Sequence, residues 1–389
     1  MKINSINASK ILNSNSNYTV QVRIETTSGI FHGSSPAGES TSQYEVRQFN
    51  DDIDKEIKKF DQFIQRLRGK TFSKIEELYD FEKTLPEEFI GGPSLSLSYA
   101  ILYALSNDAK KEPYSFFGGK SITLPISKML GGGMHASNLG MDIQEILVTT
   151  IDNDVSKSID GTISVYKELK DILKNSTYSF LGGVDPEGGF VTGLDNYESL
   201  KLVKKAVEKT IRKTGLDIRI GIDMAASTFY KDGRYVYKKP FYGKKEVSCG
   251  EQIDLVKNLI QEFDLYYIED PVDETRIEDY GEILKDMNVL VVGDDVTATR
   301  TDRLEKSRGN INSVLIKPNQ VGSLNAVKAF SDAADKIGMV KIVSHRSEET
   351  CIPIITDIAI GLGAKYLKVG INRGERVEKI NRLLEVYGI

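Results

Sequence analysis

Apolar and polar residues alternate along residues 18–24, a turn at Ser28 and Gly29 follows, and alternation resumes at 30–32, which predicts an antiparallel hairpin. Residues 51–67 and 73–85 then place apolar side chains at helical spacing, and residues 94–107 form a mostly apolar run with small residues, suited to a buried helix. Strands followed by helices make an α+β order. This order ends near Ser121, so the predicted organisation is an N-terminal α+β capping domain over 1–123 and a second domain over 124–389.

In the second part the rhythm changes. Short β-rich runs at 217–223, 265–270, 289–295, 313–317, 340–346 and 366–370 are separated by helical segments, each interval holding one strand, one helix and two short loops. That repetition predicts an α/β barrel with parallel strands. Residues 231–246, rich in Lys, Tyr and Gly, read as a hairpin insertion projecting from the barrel.

Nearly every predicted barrel strand ends in a charged residue: Asp223, Glu269, Asp294, Lys317, His345 with Arg346, and Lys368. A barrel builds its active site on this C-terminal face. One such residue alone is more often a solvated loop start or a helix cap. Six in succession, three carboxylates and then three cationic ends, divide the mouth into a metal-binding half and an anion-stabilising half. Asp223, Glu269 and Asp294 offer hard oxygen ligands only, which favours Mg2+ and allows Mn2+. Lys317, beside Lys368, Arg346 and a divalent ion, is expected to have a lowered pKa and to act as a general base.

The remaining composition narrows the partners. Among 389 residues, 51 Lys and Arg against 56 Asp and Glu give a net charge of -5, with no general attraction to nucleic acid or anionic lipid, so a small-molecule substrate is expected. The two cysteines, Cys249 and Cys351, have no metal-ligand spacing and read as reduced thiols. Residues 1–10 lack a signal-peptide core and no run is long enough to span a bilayer, which points to a soluble cytoplasmic protein.

Local sequences along almost the whole chain resemble the enolase family. Ile-Leu-Asn-Ser at 11–14 with Asn-Tyr-Thr-Val-Gln-Val at 17–22 is similar to its opening hairpin, and Gly-Glu-Ser-Thr at 38–41 to its mobile substrate loop. Met-His-Ala at 134–136, Asp-Ile-Gln-Glu at 142–145 and Val-Asp-Pro-Glu-Gly-Gly-Phe at 184–190 resemble its His loop, Gln-Glu strand and Glu-Gly-Gly element. The segments at 223–235, 269–271 and 293–299 resemble the metal-ligand segments, and those at 315–323, 343–347 and 367–370 complete the set.

The resemblance implies dehydration of 2-phospho-D-glycerate to phosphoenolpyruvate in glycolysis and gluconeogenesis. Asp223, Glu269 and Asp294 would hold Mg2+, Ser40 would close on a second ion, and Lys317 would remove the C2 proton. Lys368 would stabilise the enolate. Glu187 would act as general acid with a raised pKa, beside Glu145 and Gln144, while Arg346 and Ser347 would contact the phosphate and His135 and His345 would line the pocket. A homodimer or higher homo-oligomer is implied. The structural alternatives are a satisfied loop histidine for His135 and a turn cap for Ser40, with the functional role modestly favoured for both.

Several positions depart from the family pattern. Gly131 stands where Asn is usual, Asp185-Pro186 replaces Gly-Asp, Glu39 and Glu348 replace small residues, and Asn15, Ser16 and Tyr18 replace Arg, Gly and Pro. These leave two further readings beside a working enolase: a paralogue acting on another phosphorylated or carboxylated acid, and a non-catalytic binding or scaffold protein.

Overall fold

The structure, a computed structural model, describes residues 1–39, 41–49, 52–137, 139–176 and 180–389. Three strands, β1 (Ser5–Leu12), β2 (Tyr18–Thr26) and β3 (Gly29–Ser34), form an antiparallel sheet in the order β1-β2-β3. The predicted hairpin is β2–β3, with Thr26 opposite Gly29, and β1 pairs along β2 with Leu12 opposite Tyr18.

Helices α1 (Ile53–Ile64), α2 (Ile75–Glu82) and α3 (Gly92–Ala109) follow. Asp52 starts α1 by accepting the amides of Asp54 and Lys55, satisfying donors that an open helix end leaves free. Helix α3 is buried along nearly its whole length, as its apolar composition requires.

The second part is a closed eight-stranded barrel. Its strands are β4 (Leu124–Gly131), β5 (Glu145–Thr150), then, beyond the short flanking β6 (Phe190–Val191), β7 (Ile218–Asp223). After the insertion strands β8 (Tyr230–Lys231), β9 (Arg234–Phe241) and β10 (Lys244–Ser248) come β11 (Leu265–Glu269), β12 (Leu290–Gly293), β13 (Ser313–Ile316), β14 (Val340–Ser344) and β15 (Tyr366–Lys368), and β15 pairs back onto β4. The outer layer is α4 (Val155–Lys174), α5 (Asn196–Thr214), α6 (Cys249–Phe263), α7 (Ile277–Asp286), α8 (Thr301–Ser307), α9 (Leu324–Lys336), α10 (Ile354–Gly361) and α11 (Gly374–Tyr387).

Two features depart from the sequence expectation. Strand β5 runs antiparallel to both β4 and β7. The connection between β4 and β5 holds one 3-10 turn, Gly133–Ala136, instead of the crossover helix that a parallel return uses, so the chain doubles back. As a result Glu145, the first residue of β5, opens on the same face as Asp223, the last of β7, and the two are register partners.

The second departure is the insertion. Residues 231–246 do not project freely: Tyr235, Tyr237 and Phe241 are buried, the Tyr237 hydroxyl donates to Gln252 at 2.6 Å, and the Lys238 amide donates to Asp142 at 2.9 Å. Alternate residues of β9 turn inward, so the hairpin buries one aromatic face against the barrel wall.

One carboxylate joins the two parts. Glu82, at the end of α2, accepts from the Ser323 hydroxyl at 2.7 Å and the amides of Leu324 and Asn325 at 3.1 and 2.7 Å. It thereby caps α9, the helix that follows the Lys317 segment.

Candidate active site

The barrel register brings the predicted charged residues to one mouth. Asp223, Glu269 and Lys368 are the last residues of β7, β11 and β15, while Asp294, Lys317 and His345 come directly after β12, β13 and β14. His135, Gln144, Glu145, Glu187, Asp223, Lys317, His345, Arg346, Ser347 and Lys368 line one small cavity of about 20 Å³. A wider cleft of about 490 Å³, lined by residues of the 37–49 segment with Asn319, shares Arg346 with it. Ser40 lies outside the described residues.

Carboxylates and lysines interlock at the ends of β7, β11, β12, β13 and β15. The Lys368 ammonium donates to Asp223 Oδ2 at 2.9 Å and to both Glu269 oxygens at 2.8 and 2.7 Å, and lies 3.3 Å from Glu145. Lys317 is hydrogen-bonded to Asp294, whose other oxygen accepts from Gln320 at 3.0 Å.

Burial would lower both ammoniums, but the carboxylates outweigh it: Asp294 and Glu269 hold Lys317 above its ordinary value, and Asp223, Glu145 and Glu269 raise Lys368 further. The expected lowering of Lys317 by Lys368 and Arg346 is therefore outweighed in this arrangement. Burial and then the charges of Asp223 and Asp294 push Glu269 well above the carboxylate range.

The donor set fits a hard divalent cation. Asp223 and Glu269 are register partners on neighbouring strands, Asp294 follows on the next, and all three offer oxygen alone. The mutual repulsion that raises Glu269 is what such a cation relieves. Among the described residues, the groups whose ligand atoms lie within 4.8 Å of one another are Asp270, Asp294 and Asp295, and His135, Glu145 and Glu187; Asp223 and Glu269 are in neither, and the Lys368 ammonium is seated against both. The acidic groups thus suit a divalent metal, and their chemistry does not choose among ions.

The opposite half is built on β4. Lys128 is fully buried in a strand whose eight residues are all buried. Its ammonium lies 2.6 Å from Asp185 and donates to Glu187 Oε2 and His135 Nδ1, each at 2.8 Å. Glu187 is also 3.3 Å from His135 and 3.9 Å from His345.

Burial acts to raise Glu187, but the neighbouring His135, Lys128 and His345 hold the carboxyl well below its ordinary range; both imidazoles are lowered, so the permanent cation among the three is Lys128. Glu145 behaves oppositely: burial and the neighbouring Glu187 charge push it up to about 8. Sequence reasoning placed the raised pKa on Glu187. The difference comes from Lys128, a cation inside the wall that strand-end reasoning does not reach.

The phosphate-contact candidates are engaged with the N-terminal part. Arg346 donates to Glu45 at 2.9 and 3.3 Å and to Asn319 at 3.0 Å, and lies so near Gly38 that a Cβ there would meet its Nη2 at 1.9 Å. The Ser347 hydroxyl accepts the Glu39 amide at 2.8 Å. Arg376, fully buried, donates to the Arg346 and Ser347 carbonyls at 2.7 and 2.9 Å and fixes that turn from below.

Glu348, a departure from the family pattern, accepts from Asn13 at 2.6 Å and Asn17 at 3.0 Å, and its backbone pairs with Ala37. Lys128, Asp185, Glu45 and Arg376 were not picked from sequence. Only Lys128 left a signal, as a lone lysine among apolar residues of a strand.

Three buried atoms of the cavity lining have no hydrogen-bond partner among the described residues: Gln144 Oε1, Glu145 Oε2 and His345 Nδ1. Buried polar atoms are rarely left so, except where a ligand completes them.

Fold and site together define a β/α-barrel enzyme with carboxylates and lysines gathered at the C-terminal face of its strands. A family model described as "Enolase, C-terminal TIM barrel domain" matches residues 120–388. The chain is 31% identical to an enolase of Methanothermobacter thermautotrophicus, covering 99% of this chain and 96% of that protein. It is 31% identical to an enolase of Thermoplasma acidophilum (99% and 98%) and 32% identical to one of Pyrobaculum aerophilum (99% and 96%). The chain belongs to the enolase family and is a lyase, a phosphopyruvate hydratase.

Proposed function

We propose that the protein dehydrates 2-phospho-D-glycerate reversibly to phosphoenolpyruvate with Mg2+, as a cytoplasmic homodimer or higher homo-oligomer acting in glycolysis and gluconeogenesis. The observation that carries this reading is the meeting, in one cavity, of Lys317 and Lys368 with the carboxylates of Glu145, Glu187 and Asp223, the last a register partner of Glu269 on the neighbouring strand. Two free cysteines suit a reducing compartment. Among the described residues no helix is long and apolar enough to cross a membrane.

In this reading Asp223, Glu269 and Asp294 hold the metal, with Ser40 reserved for a second ion. When bound, the cation would supply positive charge that stabilises the enolate and would offset the Asp294 charge that holds Lys317 protonated. Lys317 takes the C2 proton as general base. Lys368 remains an ammonium throughout, since the ionised Asp223 and the Glu145 and Glu269 carboxyl groups face it, and it stabilises the enolate electrostatically.

The departing C3 hydroxyl takes its proton from the Glu145–Glu187 pair, with Glu145 carrying it and Glu187 its anionic partner. Arg346 and Ser347 exchange Glu45 and the Glu39 amide for phosphate oxygens, for which a guanidinium fork is well shaped. Gln144, His135 and His345 complete the lining, and the orphaned Gln144 and His345 atoms are free to take substrate hydrogen bonds.

The test follows phosphoenolpyruvate absorbance on 2-phosphoglycerate with Mg2+, with chelator, and with Lys317→Met. Turnover abolished by chelator and reduced about 10²- to 10⁴-fold in the variant is the expected result for loss of a general base. A native protein without turnover would overturn the reading.

A further inference from the structure

An ammonium carries three donors and no acceptor. Around Lys128 three acceptors from two parts of the chain converge: Asp185 Oδ2 at 2.6 Å and Glu187 Oε2 at 2.8 Å from one turn, and His135 Nδ1 at 2.8 Å from the connection between β4 and β5. The lysine is fully buried, and so are all three partners. Because Lys128 can only donate, His135 Nδ1 must accept, and the ring proton is left on Nε2.

Asp185 is itself tied down. Its Oδ1 accepts the amides of Glu187 at 2.8 Å and Gly189 at 3.0 Å, so the carboxylate that holds Lys128 also shapes the turn presenting Glu187. Room for it comes from Gly131, where a Cβ would lie 1.8 Å from Asp185 Oδ2. A buried lysine is costly unless fully paired, and here strand, turn and glycine all serve that pairing.

We propose that Lys128 is a positioning residue for the reaction: its ammonium keeps Glu187 anionic and fixed toward the cavity, and holds His135 as the neutral Nε2–H tautomer. The inference rests on the reading of Glu187 as a member of the proton-delivering pair. Lys128 does not touch substrate. It acts by fixing which groups beside the substrate carry protons.

The groups facing His135 are Lys128 on β4, Glu145 on β5, Asp185 and Glu187 on the turn before β6, and Asp223 at the end of β7. Burial, with Lys128 as the main opposing cation to Glu187, lowers His135 to about 4. Lys128 in turn stays protonated, since Asp185, Glu145 and Glu187 outweigh the effect of its burial. Without Lys128, the carboxylate 3.3 Å away would draw a proton onto the ring.

The test uses Lys128→Met and the double variant Lys128→Met/Asp185→Asn, which removes both buried charges and keeps an acceptor for the Glu187 and Gly189 amides. The chain has three histidines, so ¹⁵N spectra of labelled imidazoles resolve each ring without substrate. In the native protein His135 is expected to remain the Nε2–H tautomer down to about pH 5. In either variant its titration is expected to move up by at least about one unit, with the acid limb of kcat/KM moving up as well and kcat falling at least about tenfold more than KM changes.

Near-UV circular dichroism establishes that the double variant is folded. A folded double variant with native His135 titration, or with activity lowered equally at every pH, would overturn the proposal and leave Lys128 a structural residue. Failure of the native protein to turn over 2-phosphoglycerate would sink the substrate reading instead, and the imidazole spectra would still decide the role of Lys128.

Discussion

Replacing Arg382 by methionine should cost the protein about 3 kcal/mol, and the cost should shrink on acidification. Arg382 on α11 clasps Asp357 on α10 in a two-point pair, with Nη2 2.7 Å from Oδ1 and Nε 3.0 Å from Oδ2. The side chains are 11% and 1% exposed. Breaking a buried pair costs about 3–5 kcal/mol because the remaining charge is stranded, and the partial exposure of the arginine puts this case at the lower end. Glu112 and Glu385 also touch Arg382, but they are 54% and 70% exposed and add at most about 0.5 kcal/mol each.

Removing both partners, as Arg382→Met/Asp357→Leu, strands nothing and should stay within about 1 kcal/mol of the native protein. The pH dependence has a definite sign. Burial raises Asp357 above 3.8 in the folded state even with Arg382 opposing it, so the folded form binds this proton more tightly than the unfolded form. Its contribution to stability therefore falls as pH rises from about 3.8 through the raised folded value.

Without Arg382 that raised value climbs, and the single variant should recover stability from pH 8 to pH 5. Guanidinium titrations read by tyrosine fluorescence, available because the chain has 18 tyrosines and no tryptophan, would measure this. A penalty below about 1 kcal/mol, or one constant over that pH range, would refute the reasoning.

Two further substitutions probe the site's supports. Arg376→Met removes both donors that hold the Arg346 and Ser347 carbonyls, and a displacement of that turn near 1 Å is expected to lower kcat/KM about 10²-fold, mainly through KM for the phosphorylated substrate; an unchanged KM in steady-state kinetics would argue against it. Gly131→Ala drives a methyl into Asp185 and should lower stability by about 1–3 kcal/mol; a melting temperature equal to that of the native protein would show that the turn at 184–190 yields freely.

Much of the fold was legible because barrel strands announce themselves by short β-rich runs with charged ends, and side chains such as Asp223, Glu269 and Lys368 occupy strand termini by register alone. Three things were not legible. The reversed direction of β5 depends on the lack of a crossover helix, which periodicity over 132–144 does not reveal. The inward face of 231–246 follows from contacts with Asp142 and Gln252, distant in sequence. The electrostatic states of Lys317 and Glu187 depend on Asp294 and Lys128 in direct contact, and no spacing rule encodes such pairs.

The charge inventory at the mouth ties these points together. Four cations, Lys128, Lys317, Arg346 and Lys368, stand among seven carboxylates, Glu45, Glu145, Asp185, Glu187, Asp223, Glu269 and Asp294. An excess of negative charge in a buried space is relieved by protonation, which is the direction taken by Glu145 and Glu269. A phosphorylated carboxylic acid adds further negative charge, so such a substrate is poorly matched to the protein's own groups alone. In the proposed reading, divalent cations held on the Asp223–Glu269–Asp294 side would offset that charge while Lys128 keeps the opposite wall paired. The chelator arm of the turnover assay therefore reports on substrate binding as much as on chemistry.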